Sequence, residues 1–135
     1  MTVKWFGDEF RKRVLRGANR GIFAGTEAVA EQARQAILSP PKSGALYKRR
    51  GVVHQASAPG EAPASDTGRL VQSGRTEYNQ QDISGRVIFS TEYALALEVG
   101  TVNMQPRPYL RPALEVKKDF IVEAVASRIQ EELVK

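Results

Sequence analysis

Tyr93-Ala-Leu-Ala-Leu-Glu-Val-Gly-Thr101 and, shortly after it, Arg107-Pro-Tyr-Leu-Arg-Pro-Ala-Leu114 are the segments from which the architecture follows. Residues 93–99 have the apolar spacing of a short helix, and Gly100 stands where a left-handed residue closes one. Pro106 and Pro108 then keep the chain extended, because the residue before a proline avoids the helical region. Pro112 opens a last helix in its first turn. That helix runs to about Val134, with Leu114, Ile121, Val125, Ile129 and Leu133 as an apolar stripe. Glu115, Asp119, Glu123, Glu131 and Glu132 occupy its wet faces. A Gly-punctuated apolar segment followed by Pro-spaced arginines describes a shaped docking surface rather than a catalytic constellation.

Upstream, Arg86-Val-Ile-Phe89 suits a strand, since β-branched and aromatic side chains fit a pleated surface. Strands over about 74–80 and 84–90 pair across a turn at Gln81-Asp82. The N-terminal segment, about Asp8 to Leu38, reads as one long helix. Phe6, Phe10, Val14, Ile22, Val29, Ala33 and Ile37 fall near helical spacing, and Asp8 and Glu9 sit where the helix dipole favours anions. Gly17, Gly21 and Gly25 recur every four residues and share one face. Each costs about 1 kcal/mol against alanine in a helix interior. They describe either a kinked helix or the close approach of another backbone.

Between these parts, residues 39–69 are punctuated by four prolines and four glycines, and no regular element is evident there. Loops longer than about 15 residues inside a compact domain tend to be functional or disordered. This one carries Tyr47-Lys-Arg-Arg50 and Val52-Val53, anchoring residues that a plain linker lacks. It reads as a flexible arm that orders on a partner, with a solvated loop as the other possibility. The order is long N-terminal helix, extended arm, small antiparallel sheet, short helix, extended turn and C-terminal helix. That is a single α+β domain over residues 1–135.

Composition narrows the function. A chain of 135 residues with 41% hydrophobic and 26% charged residues suits one modest core. No cysteine is present, which removes disulfide and thiolate chemistry. The lone His54 builds no zinc site by itself, so no metal or cofactor is expected. No apolar run approaches the ~20 residues of a membrane span, and no membrane partner is expected. Residues 1–50 carry 11 Lys/Arg against 4 Asp/Glu, and residues 51–135 carry 9 against 11. That asymmetry points to an acidic or polyanionic partner for the first third.

Asp66-Thr67-Gly68 matches the aspartic-protease signature, but that chemistry needs two carboxylates sharing a proton on a firm β framework. Here Ala62-Pro-Ala-Ser65 precedes it, and Asp66 or Thr67 reads instead as the cap of a turn leading into Leu70. Lys42, Lys48, Arg49 and Arg50 are suited to phosphates, yet only Tyr47 supplies an aromatic among them. A small basic nucleic-acid-binding protein is therefore the alternative reading. Arg107, Tyr109 and Arg111 alternate around Pro108 and Pro112, which places them on one face of an extended segment. They are either interface anchors or partners of Glu98 or Glu92. No nucleophile, base or phosphate loop is arranged for catalysis, and the expectation is a protein that is not an enzyme.

Thr67-Gly68-Arg69-Leu70, then Tyr93-Ala94 through Glu98-Val99-Gly100-Thr101, then Pro108-Tyr109-Leu110-Arg111-Pro112-Ala113-Leu114 stand in a distinctive order. In these motifs the chain resembles the tail-completion, or head–tail joining, proteins of long-tailed bacteriophages, the lambdoid "gene product ten" type once labelled minor tail components. The resemblance spans most of residues 10–128. Val99 stands where that family often has an aromatic, and the 39–69 arm is rather long. What the resemblance implies is a virion protein of the neck, assembled in the host cytoplasm. It would form a homo-oligomeric ring of six between head-closure and tail-terminator or tail-tube proteins. Contact with genomic DNA in the lumen would be non-specific. Tyr47, Lys48, Arg49, Arg50 and His54 would then touch a neighbour, while the Arg107–Arg111 turn fixes the base of that interface.

Overall fold

Three glycines set how the two long helices meet. The computed structural model describes residues 2–39, 42–65 and 68–135, so the capping role read for Asp66 and Thr67 lies outside the described residues. Helix α1 (Gly7–Leu38) is unbroken, and α4 (Leu110–Leu133) lies antiparallel against it. A Cβ on Gly17 would fall 2.5 Å from the Cα of Ile129, and one on Gly21 would meet the backbone of Val125. One on Gly25 would lie 2.9 Å from Cγ1 of Ile121. The glycine face therefore serves a close backbone approach within the fold, not a kink. Small residues spaced four apart remove the side-chain layer that normally holds helix axes 8–10 Å apart.

Between them lie hairpin β1 (Leu46–Arg49) and β2 (Val52–Gln55), α2 (Arg69–Gln72), hairpin β3 (Arg75–Asn79) and β4 (Ser84–Ile88), and α3 (Ala94–Val99). The architecture is α+β, with two separate two-stranded antiparallel sheets where a single sheet was expected. The β3–β4 pair runs from Arg75↔Ile88 to Asn79↔Ser84. Its turn is organised by Asn79, whose Oδ1 accepts from the amides of Gln81 and Asp82 at 3.0 and 3.1 Å. Gly85 packs against Thr26 of α1, and the Glu27 carboxylate accepts from the hydroxyls of Tyr78 and Thr76. Those bonds hold the Glu27 carboxyl below its ordinary range.

The core gathers Val29, Ala33 and Ile37 of α1 with Leu70, Phe89, Ala94, Tyr109 and Ala113. Phe89 and Tyr109 meet edge to face at 5.2 Å, and the Tyr109 hydroxyl donates to the Ala94 carbonyl at 3.1 Å. Two expectations for the long helices need correction. Leu114 is 49% exposed, and Ala113 turns inward in its place. Glu132, expected on a wet face, is 2% exposed and sits between Arg16 (3.2 Å), Arg20 (2.8 Å) and Lys135 (3.1 Å). These cationic donors, Lys135 foremost, hold its carboxyl down at about 2. Arg20 also reaches Glu131 at 3.1 Å. The α1 arginines are thus partly consumed in closing the helix pair. The first turn of α1 runs past the end of α4, where Arg13 bonds the Lys135 carbonyl, and Phe6 and Phe10 remain exposed.

Candidate functional site

The arm contains regular structure that the sequence did not announce. Leu46↔Gln55, Tyr47↔His54, Lys48↔Val53 and Arg49↔Val52 pair across a two-residue turn at Arg50-Gly51. Both turn residues have positive φ, 53° and 79°, as a twisted tight hairpin requires. Arginine in the first turn position hides the Asn-Gly signal that would have revealed it. At its base, the amide of Gly44 donates to Ala56 at 2.8 Å, and the Glu61 carboxylate accepts from Ser43 and from the Ala58 amide. Gly60 bonds the Pro106 carbonyl at 3.0 Å, tying the arm to the turn that precedes α4.

Cross-strand pairing divides the hairpin into two faces, because alternate residues point oppositely. Tyr47, Arg49, Val52 and His54 share one face, where the Tyr47 and His54 rings stack at 5.5 Å. Leu46, Lys48, Val53 and Gln55 share the other. Tyr47 and Arg49 of the first face, without His54, wall a cleft of about 610 Å³ whose polar lining also includes Arg50, Arg69, Tyr93 and Arg107. Residues about sixty positions apart in the chain therefore converge within one subunit. Arg69 was not foreseen. It lies 5.9 Å over the Tyr93 ring and 3.2 Å from Glu92. Its signal in the sequence was its place directly after Gly68, whose φ of 78° turns the chain into α2.

Arg107 is half-buried beneath this cleft. Its amide donates to the Leu97 carbonyl at 2.7 Å, and its Nη1 lies 3.9 Å from the Met104 sulfur. Its Nε is buried without a hydrogen-bond partner among the described residues. A buried guanidinium nitrogen left so is costly unless a carboxylate or other acceptor reaches it.

The alternation expected for residues 107–111 does not hold, because helix α4 has already begun at Leu110. Tyr109, expected on the partner-facing side, is 1% exposed in the core, and burial pushes its phenol up to about 12. Arg111 parts from Arg107 and borders a separate apolar groove of about 460 Å³ with Ile22, Val87 and Leu114. Glu98 pairs with neither guanidinium. Its carboxylate accepts from the amides of Tyr109 (2.8 Å), Leu110 (3.0 Å) and Arg111 (2.8 Å), capping α4 from α3. Pro108 and Pro112 flank this cap, and Pro112 has no amide of its own to satisfy. Gly100 closes α3 with φ 79° and ψ 174°, a mirror-extended conformation rather than the left-handed cap, and one that only glycine adopts at ease. Thr101 bonds Met104 in the tight turn beyond it, N to O at 2.8 Å.

Among the described residues, no group of three or more His, Asp or Glu is placed to hold a metal, and no helix is long and apolar enough to cross a membrane. Compared with protein-family models, curated proteins and solved structures, the chain matches none.

Proposed function

We propose that this chain is a structural protein of a bacteriophage neck, a tail-completion or head–tail joining component. It acts as a ring of six subunits between head-closure and tail-terminator or tail-tube proteins, in virions assembled in the host cytoplasm. The observation that carries the reading is the β1–β2 hairpin. It exposes Leu46, Val52 and Val53 beside Lys48 and Arg50, and among the described residues no other element packs extensively against it. A two-stranded hairpin is marginal alone in water, so a hairpin with apolar flanks and a cationic tip belongs against a partner. Apolar and arginine-rich surfaces of this kind suit protein interfaces. The α1–α4 pair supplies the rigid body that such an arm needs. The role is non-enzymatic, and contact with DNA in a lumen is incidental.

Deleting the gene in the parent phage or prophage and imaging induced lysates by negative-stain electron microscopy tests this. DNA-filled heads beside separate or overlong tails are expected. Normal infectious particles would end the neck reading.

A second reading is favoured by the cleft, where Arg49, Arg50, Arg69 and Arg107 meet Tyr47 and Tyr93 in a phosphate- and base-compatible lining. Against it stands the engagement of Arg16 and Arg20 by Glu131 and Glu132, which leaves α1 without a continuous basic track. Nucleic-acid binding that falls steeply with salt would support this second reading; weak, salt-insensitive retention is expected of a neck protein.

A further inference from the structure

We propose that the outward face of the β1–β2 hairpin, Leu46, Lys48 and Val53, docks on the outer face of α4 in a neighbouring copy of this chain. This rests on the self-association within the neck reading and names its two surfaces. On α4, Glu115, Asp119 and Glu123 recur every four residues on the side turned away from Ile121, Val125 and the α1 glycines. Beside that row Val116 is 63% exposed and Phe120 45%. None of the three carboxylates has an ion-pair partner among the described residues. Like charges four apart on a helix repel one another, and an apolar strip beside them loses nothing by being covered.

The hairpin carries the complement. Lys48 lies between exposed Leu46 and Val53 on one face, with Arg50 at the tip, and neither cation has an ion-pair partner among the described residues. The lengths agree as well. The eight residue steps from Glu115 to Glu123 rise about 12 Å, and the three steps of a four-residue strand span about 10 Å. The α4 face has its own cations: Lys118 is exposed near the row, and the Lys117 ammonium lies 5.9 Å over the Phe120 ring. They flank the carboxylates and restrict the docking strand to the acidic side. Because donor and acceptor are different patches, the contact is heterologous and propagates from copy to copy until rotation closes it.

The absence of cysteine makes the test direct. Purified Gln55→Cys and Ala126→Cys proteins, which keep every charge of the two surfaces, are mixed under mild oxidation, with Gln55→Cys and Gln35→Cys as the control pair. Docking is expected to raise the disulfide-linked heterodimer at least about tenfold over the control by raising the local thiol concentration. Both cysteines placed in one chain should give a ladder of linked multimers. Reversing Glu115, Asp119 and Glu123 to lysine in a chain bearing Gln55→Cys and Ala126→Cys should suppress that chain's ladder. Adding Lys48→Glu and Arg50→Glu should restore it. Cross-linking equal to the control overturns the contact, even if heads and tails stay unjoined in the knockout. A specific cross-link together with normal infectious particles would instead keep the contact and end the neck reading.

Discussion

Glu98 shows how much one side chain can carry. Three amides at the start of α4 converge on its carboxylate, while Tyr109, the residue at the cap position, gives the helix start no side-chain bond of its own. Glu98→Ala should cost about 2 kcal/mol in urea-induced unfolding, the upper range for losing a helix cap with charge-assisted bonds. An unchanged midpoint would show that water replaces the cap. Glu132 makes a second prediction, in pH. Its folded-state carboxyl lies at about 2 against an ordinary 4.5, so its contribution is complete above about pH 4.5 and lost as pH falls toward 2. Glu132→Gln should flatten that part of the stability profile, and a profile identical to the unaltered protein would contradict the assignment. The mirror case is Tyr109. Its phenol is raised from 10.0 to about 12, so stability should decline as pH rises through that interval, readable by circular dichroism alongside the phenolate absorbance.

At the scale of elements, the glycine face of α1 separates helix propensity from packing. In a solvated helix, Gly→Ala gains about 1 kcal/mol. Gly17→Ala and Gly21→Ala instead thrust a methyl into α4 backbone and should destabilise by about 1–3 kcal/mol. The atoms nearest a Cβ on Gly25 all belong to the Ile121 side chain, which yields more readily than backbone, so Gly25→Ala should be markedly milder. Thermal unfolding of the three variants orders them; stabilisation by all three would refute the close approach. The face itself was visible as a four-residue recurrence. Whether it met another backbone or bent the helix depended on α4, about a hundred residues away. The β1–β2 hairpin was hidden for a different reason, since Arg50 adopts a positive φ that its residue type does not advertise.

Across the whole molecule, rigid body and arm divide the work. The body is α1 against α4, with β3–β4 and α3 completing its core, and among the described residues the hairpin contributes none to that core. A chain lacking residues 42–56 should keep its helical signal and unfold within about 5 °C of the intact protein, because little packing is lost. The same chain should fail to restore particle assembly when supplied to the gene deletion. Full restoration would remove the arm from the proposed role.

Local features were legible because they depend on neighbours in the chain. Apolar periodicity marked α1 and α4, prolines 106, 108 and 112 marked the extended turn and the helix start, and Gly100 marked the end of α3. Only the tertiary structure could decide that Glu98 caps a helix, that Glu132 is buried among cations, that Tyr109 belongs to the core, and that Arg107 and Arg111 part company. A carboxylate or a phenol has the same letter whether water or protein surrounds it. What surrounds it is set by chain segments far away, brought near by burial of the apolar stripes that the sequence does display.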